Sequence, residues 1–149
     1  MKQTIIAVIC FLCVSSLYIQ AQKINHPSLL YTPQRIQQVK QRMQHEPKLQ
    51  EAWGDIKRTA DEALQKKDFN RLDYLSLAYL MTDNKEYADV IKEILLKTVE
   101  AESWGDVEMM ARIPAWRSQL GMAHKSFLSA VGYDAAYNVM SSSERKKIA

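Results

Sequence analysis

Two tryptophans and two arginines lie close together between two helical stretches, and they are the residues best suited to bind a ligand. They are Trp104, Arg112, Trp116 and Arg117. Indole rings stack on the apolar faces of sugar rings, and guanidinium groups bind carboxylate or sulfate through paired hydrogen bonds. We therefore predict that these four residues bind an acidic polysaccharide. The alternative is that the tryptophans hold this loop against the core while one arginine pairs with Asp134.

The other reactive side chains form no recognisable catalytic or metal-binding motif. His26, His45 and His124 are far apart in the sequence and lack the spacing typical of metal ligands. His124 neighbours an apolar helix face, which favours a structural role for this histidine. No nucleophile elbow, phosphate-binding loop or dinucleotide fingerprint occurs. We predict no metal and no cofactor for this chain.

The first 21 residues have the pattern of a secretory signal peptide. Lys2 supplies the positive start, Ile5–Ile19 is mostly apolar, and Ala21 is a small residue suited to cleavage. The apolar run is short for a membrane span; an uncleaved N-terminal anchor is the alternative. Both cysteines, Cys10 and Cys13, lie in this signal, so the exported chain has neither a thiol nor a disulfide. We predict a periplasmic or extracellular protein that has no membrane attachment after cleavage.

The composition indicates one globular domain over residues 22–149. Of the 149 residues, 47% are hydrophobic and 25% are charged, which are values typical of globular proteins. The net charge of +3 is too small to indicate binding to nucleic acid. We therefore predict no nucleic-acid partner.

Hydrophobic residues recur at helical spacing along most of the chain, and no stretch alternates convincingly as a β-strand does. The predicted helices run from Pro33 to near His45, from Pro47 through Leu64, over Leu72–Met81, from Asp83 through Val99, from the tryptophan loop to near Met140, and onward from Ser141. The segment before Pro33 is expected to be extended and to pack onto the first helices. Short breaks between helices require antiparallel hairpins, so the predicted fold class is all-α.

The helix that ends near Met140 carries a carboxylate within its apolar stripe. The stripe consists of Leu120, Ala123, Phe127, Ala130, Val131 and Tyr137. Asp134 falls inside it, and a carboxylate in such a position needs a polar partner. We predict that Asp134 has a packing or hydrogen-bonding role between helices.

Two capping boxes are predicted from the spacing of their residues. Asp83 precedes Glu86 by three residues, and Ser141 precedes Glu144 by the same interval. In such a pair each side chain accepts a hydrogen bond from the free backbone N–H of the other residue. The chain ends soon after Ser141, which predicts an architecture that is unfinished within these residues.

Three ordered motifs resemble the heparinase II/III-type polysaccharide lyases. His26–Thr32 (HPSLLYT) resembles the His-Pro-x-Leu-Leu-Phe-Thr opening of the mature lyases. Leu77–Ala88 resembles their Leu-Ala-Tyr-x-x-Thr-Gly-Asp-x-x-Tyr-Ala hairpin, with Asp83 in place of the glycine. Gly132–Asp134, Tyr137 and Ser141–Arg145 resemble their Ala-Tyr-Asp-x-x-Tyr-x-x-Leu-Ser-x-x-Glu-Arg segment.

The resemblance implies an incomplete (α/α) toroid, in which antiparallel helical hairpins surround a cleft, and this chain would be its beginning. Such lyases cut acidic polysaccharides by β-elimination: a base removes the proton beside a uronate carboxylate, which a neighbouring polar group neutralises. The base and acid are typically tyrosine and histidine, and in the family they lie beyond the matched segment. We therefore assign no catalytic residue here and expect the chain alone to be inactive. Alginate lyases share the pattern, so the implied substrate is heparin-like or alginate.

Two non-catalytic alternatives are a helical-repeat scaffold and a carbohydrate-binding scaffold that uses the tryptophan loop. Leu77–Leu95 also resembles a tetratricopeptide-type hairpin, which requires a second copy about 34 residues away. At that distance from Tyr87-Ala88 the sequence has Trp53-Gly54 on one side and Gly121-Met122 on the other. Neither pair fits the repeat pattern, so the toroid is preferred.

Overall fold

The computed structural model describes residues 24–101, 104–105, 107–114 and 119–149 of the chain. The predicted signal peptide lies outside these residues. Within them the α-helices are α1 (Pro33–Met43), α2 (Pro47–Lys66), α3 (Leu72–Thr82), α4 (Lys85–Val99), α5 (Val107–Met110), α6 (Leu120–Ala136) and α7 (Ser142–Ile148). Short 3-10 turns occupy Phe69–Arg71 and Tyr137–Val139. The all-α prediction is confirmed, and the described part of the chain contains no β-strand.

Helix α3 is the centre of the core. It packs against α2, α4 and α6, and its buried residues lie around most of the helix. They are Leu72, Leu75, Ser76, Ala78, Tyr79 and Met81. The hydroxyl of Ser76 is satisfied within the helix, because it donates to the carbonyl oxygen of Leu72. The nearly continuous apolar sequence of α3 follows from contact with neighbours on most sides.

A polar contact joins α2 to α4 at the edge of this core. The hydroxyl of the buried Tyr87 donates to the Asp61 carboxylate, and Lys57 Nζ lies 2.8 Å from the same carboxylate. The hydrogen bonds from Lys57 and Tyr87 lower the pKa of Asp61, while burial and the bond to Asp61 raise the pKa of Tyr87. Asp61 is half-buried and accepts the hydrogen bond of the tyrosine hydroxyl.

One of the two predicted capping boxes is confirmed and the other is wrong. Ser141 Oγ accepts from the backbone N–H of Glu144 at 3.2 Å, and Glu144 accepts from the N–H of Ser141 at 2.6 Å. In the second case Asn84, not Asp83, caps α4, because its side chain accepts from the N–H of Glu86 at 3.0 Å. Asp83 ends α3 in the left-handed conformation, with φ of 59°. Only Asp83 and Asn84 lie between α3 and α4. Asp83 therefore ends α3, and Asn84 caps the start of α4.

The apolar stripe of α6 is only half covered within the described part of the chain. Leu128 is buried, whereas Leu120 is 92% exposed and Phe127 is 52% exposed. All buried residues of α6 lie from Leu128 onward, so α3 and α4 cover only the C-terminal half of this helix. His124 lies in the uncovered half and is exposed, so the prediction that it is a satisfied structural histidine is wrong.

Candidate functional site

The best-built polar site holds the segment before α1 against the C-terminal half of α6. Asp134 is 3% exposed, and its carboxylate lies 2.6 Å from Nδ1 of His26. The backbone N–H groups of Ser28 and Leu29 each donate to Oδ2 at 2.8 Å, and the Ser28 hydroxyl donates to Oδ1 at 3.3 Å. We call Asp134 with these three donor residues the Asp134 clasp. Because an ionised carboxylate only accepts hydrogen bonds, Nδ1 of His26 carries the shared proton.

The 3-10 turn Tyr137–Val139 contacts His26 of the clasp. The ring of His26 stacks on Tyr137 with centroids 3.8 Å apart, and the Asn138 side chain donates to the His26 carbonyl oxygen at 2.7 Å. Arg145 of α7 donates to the Tyr137 carbonyl oxygen at 3.1 Å, and its guanidinium lies 4.7 Å from the centre of the tyrosine ring. The clasp therefore joins the N-terminal segment to α6, and Tyr137, which stacks on its histidine, is in turn contacted by α7.

The electrostatics of the clasp favour an ionised Asp134. Burial raises the pKa of this carboxyl, but the hydrogen bonds from Leu29, His26 and Ser28 lower it more, so the pKa lies below its ordinary value. The alternative in which an arginine pairs with Asp134 is wrong, because the donors are a histidine and the backbone of one turn. Asp134 has the predicted hydrogen-bonding role, although it joins α6 to the N-terminal segment rather than to another helix.

The structure describes two of the four predicted substrate-binding residues, Trp104 and Arg112. Trp104 is half-buried, and its indole N–H donates to the Thr98 carbonyl oxygen at 3.2 Å. Arg112 is exposed in the segment after α5. Trp116 and Arg117 lie outside the described residues, so the convergence of all four on one ligand stays a prediction.

Trp104 lines a cavity of about 560 Å³ between the C-terminal parts of α2 and α4 and the N-terminal half of α6. Four lysines line the same cavity, namely Lys66, Lys67, Lys97 and Lys125. Among the described residues Glu93 is the one acidic residue in the lining, so the described lining has four positive charges and one negative charge, a formal charge of +3. Phe69 and Ile94 supply apolar surface. We call this feature the lysine cavity.

Two of these lysines are engaged within the protein and two are not. Lys67 Nζ lies 2.7 Å from both carboxylate oxygens of Glu93, and Lys125 Nζ donates to the Trp104 carbonyl oxygen at 3.1 Å. Lys66 and Lys97 have no ion pair with another residue of the described chain. This cavity could not be predicted from the sequence, because each lysine follows the pattern of an exposed helix surface.

The described residues contain neither a metal-binding cluster nor a membrane-spanning helix. Among those that the structure describes, no three histidine, cysteine, aspartate or glutamate side chains come together to hold a metal ion. No described helix combines the length and apolar character that crossing a membrane requires. No family model matches the chain, and neither the curated proteins nor the solved structures include a match.

Proposed function

We propose that this chain is the N-terminal part of an exported polysaccharide lyase-like protein that cleaves uronic-acid glycans by β-elimination. Its helical hairpins would form the beginning of an (α/α) toroid, and the catalytic residues would lie outside this chain. The observation that carries the proposal is the Asp134 clasp. It joins the first of the three motifs that resemble the lyases to the third.

The clasp supports the proposal because its contacts involve the motif residues themselves. His26 and Asp134 are 108 positions apart in the chain, yet their side chains form a direct hydrogen bond. Tyr137, which belongs to the third motif, stacks on His26, which begins the first. Motifs that contact one another form a single structural unit, which is what a resemblance to one domain type requires.

The uncovered half of α6 is also consistent with a toroid. Leu120 and Phe127 present apolar side chains to solvent on a helix whose other half is packed in the core. In a ring of hairpins each pair of helices buries its outer apolar face against the next pair. A following hairpin would therefore cover these two residues.

The activity is tested on the complete reading frame that contains this chain. We expect that protein to release unsaturated uronate from heparan sulfate or alginate, measured by the ultraviolet absorbance of the new double bond. The chain of 149 residues alone should give no such product. An inactive complete protein, or turnover by the short chain alone, would contradict the proposal.

The toroid is tested by labelling a cysteine introduced as Phe127→Cys, with Cys10 and Cys13 replaced by serine. We expect rapid reaction of this thiol with a maleimide in the short chain, because Phe127 is exposed there. The same thiol should be protected in the folded complete protein. Equal labelling rates in the two proteins would contradict the ring arrangement.

A carbohydrate-binding scaffold without catalysis is the second candidate. The observation that favours it is the position of Trp104, whose indole lies beside four lysines in one cavity. Binding of acidic glycan by the complete protein, together with no unsaturated product, would distinguish this scaffold from a lyase.

A further inference from the structure

We propose that the lysine cavity binds one anionic sugar unit of a uronic-acid glycan, with Lys66 and Lys97 contacting its carboxylate or sulfate and Trp104 contacting its ring. The choice of glycan rests on the proposed function, whereas the site itself rests on the contacts around the cavity. This site differs from the predicted one, because Arg112 does not line it.

The size and access of the cavity suit a small ligand. Its volume of about 560 Å³ lies within the range of roughly 300–1,000 Å³ that is common for ligand pockets. Lys66, Lys67 and Lys97, which line it, are exposed to solvent. A sugar unit within a longer polysaccharide therefore has open access to the cavity.

The charge of the lining favours an anion over a neutral or cationic ligand. Glu93 is the only acidic residue of the lining that the structure describes, and Lys67 hydrogen-bonds to both of its carboxylate oxygens. The ammonium groups of Lys66 and Lys97 have no ion pair with a described residue, so neither has to give up a partner among those residues when an anion binds. A site with free donors loses less energy on binding than one whose donors are already paired.

Trp104 is held in position before any ligand arrives. Its indole N–H donates to the Thr98 carbonyl oxygen, at the end of α4, and its own carbonyl oxygen accepts from Lys125 on α6. Thr98 is fixed in turn, because its hydroxyl donates to the Ile94 carbonyl oxygen at 2.7 Å. A ring that is already oriented requires little further ordering when a sugar contacts it.

The lysines make the site tolerant of different acidic groups. A lysine ammonium is a compact charge on a flexible stem and lacks the fixed fork geometry of arginine. Carboxylate and sulfate therefore share the chemistry that this cavity recognises. Oligosaccharides from alginate carry carboxylates alone, whereas those from heparin also carry sulfates, so comparing the two separates the sources of negative charge.

The experiment measures binding of defined hexasaccharides to the purified chain by titration calorimetry. The probes are a heparin-derived hexasaccharide, an alginate-derived hexasaccharide, a neutral cello-oligosaccharide of equal length, and inorganic sulfate. We expect at least one acidic hexasaccharide to bind, the neutral one to bind at least about tenfold more weakly, and the affinity to fall as salt screens the charges.

The decisive comparison uses two double variants that remove the same charge. Lys66→Gln with Lys97→Gln alters the cavity, whereas Lys48→Gln with Lys85→Gln alters exposed lysines outside its lining. We expect the first variant to bind the acidic hexasaccharide about tenfold more weakly, since two charge-assisted contacts are lost. The second should stay within about twofold of the parent. Circular dichroism spectra of both should match the parent, because all four side chains are exposed.

Several results would overturn the proposal. Equal weakening in the two double variants would show a general charge effect rather than a site. Equal binding of the neutral oligosaccharide, absence of binding to either acidic hexasaccharide, or inorganic sulfate binding as tightly as the sugars would each contradict an anionic sugar site. These results differ from failure of the lyase proposal, which concerns the products formed by the complete protein.

Discussion

At the scale of single residues, Asp134 shows how one buried carboxylate organises a segment distant in sequence. Its two oxygens accept from the backbone of Ser28 and Leu29 and from His26. Each donor would lose its partner inside the protein if the carboxylate were removed, and an unsatisfied buried group destabilises more than a typical hydrogen bond stabilises. The clasp is therefore a structural device whose loss should release the segment before α1.

Replacing Asp134 should lower the free energy of unfolding by about 2–4 kcal/mol, because charge-assisted hydrogen bonds to buried groups are lost. Asp134→Asn should destabilise nearly as much as Asp134→Ala, since its amide group would face a backbone N–H, which is also a donor. The measurement is urea denaturation followed by circular dichroism. Asp55→Asn, which removes an exposed carboxylate, is the control and should change stability by less than about 1 kcal/mol. A small effect at Asp134 would show that the clasp is open in solution.

The pH dependence of stability should also reveal the clasp. The pKa of Asp134 is lower in the folded chain than its ordinary value of 3.8, so the unfolded chain binds more protons as the solution is acidified. The stabilisation is fully present above about pH 3.8 and is lost as the pH falls through the lower folded value. We expect the stability difference between the parent and Asp134→Asn to shrink below pH 3.8. A constant difference from pH 7 to pH 2 would contradict this assignment.

Asp83 gives a second prediction at the residue scale, because its φ of 59° lies in the left-handed region. Glycine adopts this conformation freely, whereas alanine is strained in it. We expect Asp83→Gly to be more stable than Asp83→Ala by about 1 kcal/mol. The same two substitutions at Asp89, within α4, should show the opposite order, since alanine favours a helix interior. Thermal unfolding of the four variants measures both differences, and the same order at both positions would contradict the left-handed conformation.

The sequence showed that Asp134 needed a partner, because a carboxylate within an apolar stripe is costly to bury. It could not show which partner, since no local pattern connects His26 with a residue 108 positions away. The lysine cavity was missed for a similar reason. Lys66 and Lys97 belong to different helices, and only the packing of α2 beside α4 brings them together.

At the scale of the elements, helix ends were easier to predict than helix faces. Helix α1 begins at Pro33 and α2 begins at Pro47, as the sequence predicted. Thr32 caps α1, because its side chain accepts from the N–H of Arg35. These signals act within one turn of a helix, so the sequence carries them directly. Which half of α6 is covered depends instead on how far α3 and α4 extend along this helix. The apolar spacing of α6 does not contain that information.

The contact of α6 with α3 and α4 gives an element-scale prediction at Gly132. A Cβ atom there would lie 3.3 Å from Leu72 Cδ2 and 3.4 Å from Ile91 Cγ2, closer than nearly all such contacts. Alanine ordinarily stabilises a helix over glycine by up to about 1 kcal/mol, and this gain should appear for Gly54→Ala, where nothing lies within 4 Å. At Gly132 the crowding should cancel the gain.

The larger substitution Gly132→Val should destabilise by about 1–3 kcal/mol, because extra methyl groups must displace packed side chains. Chemical denaturation of Gly54→Ala, Gly132→Ala and Gly132→Val compares the three. Equal stabilisation by the two alanine variants would mean that α6 lies farther from α3 than the structure shows.

At the scale of the whole molecule, both the charge and the apolar surface are unevenly distributed. The described residues that line the lysine cavity carry a formal charge of +3. Of the exposed large apolar side chains, Leu120, Phe127, Val107 and Ile113 lie in or near the N-terminal half of α6 and the segment before it, whereas Ile24, Leu29 and Leu30 lie before α1. The core therefore lies at one end of α6, and the other end presents its surface to solvent.

Two adjacent residues of α6 test this division of the molecule. Leu128 is 1% exposed and Phe127 is 52% exposed, although both are large and apolar. Leu128→Ala should destabilise the chain by about 2–5 kcal/mol through loss of buried surface and the cavity that remains. Phe127→Ala should destabilise it by less than about 1 kcal/mol, since the phenylalanine ring lies outside the core. Urea denaturation of both variants gives the comparison, and sedimentation velocity at two protein concentrations shows whether the chain associates. If the two variants were equally unstable while the chain stayed monomeric, the core would extend along all of α6, and the open face that supports the toroid would not exist.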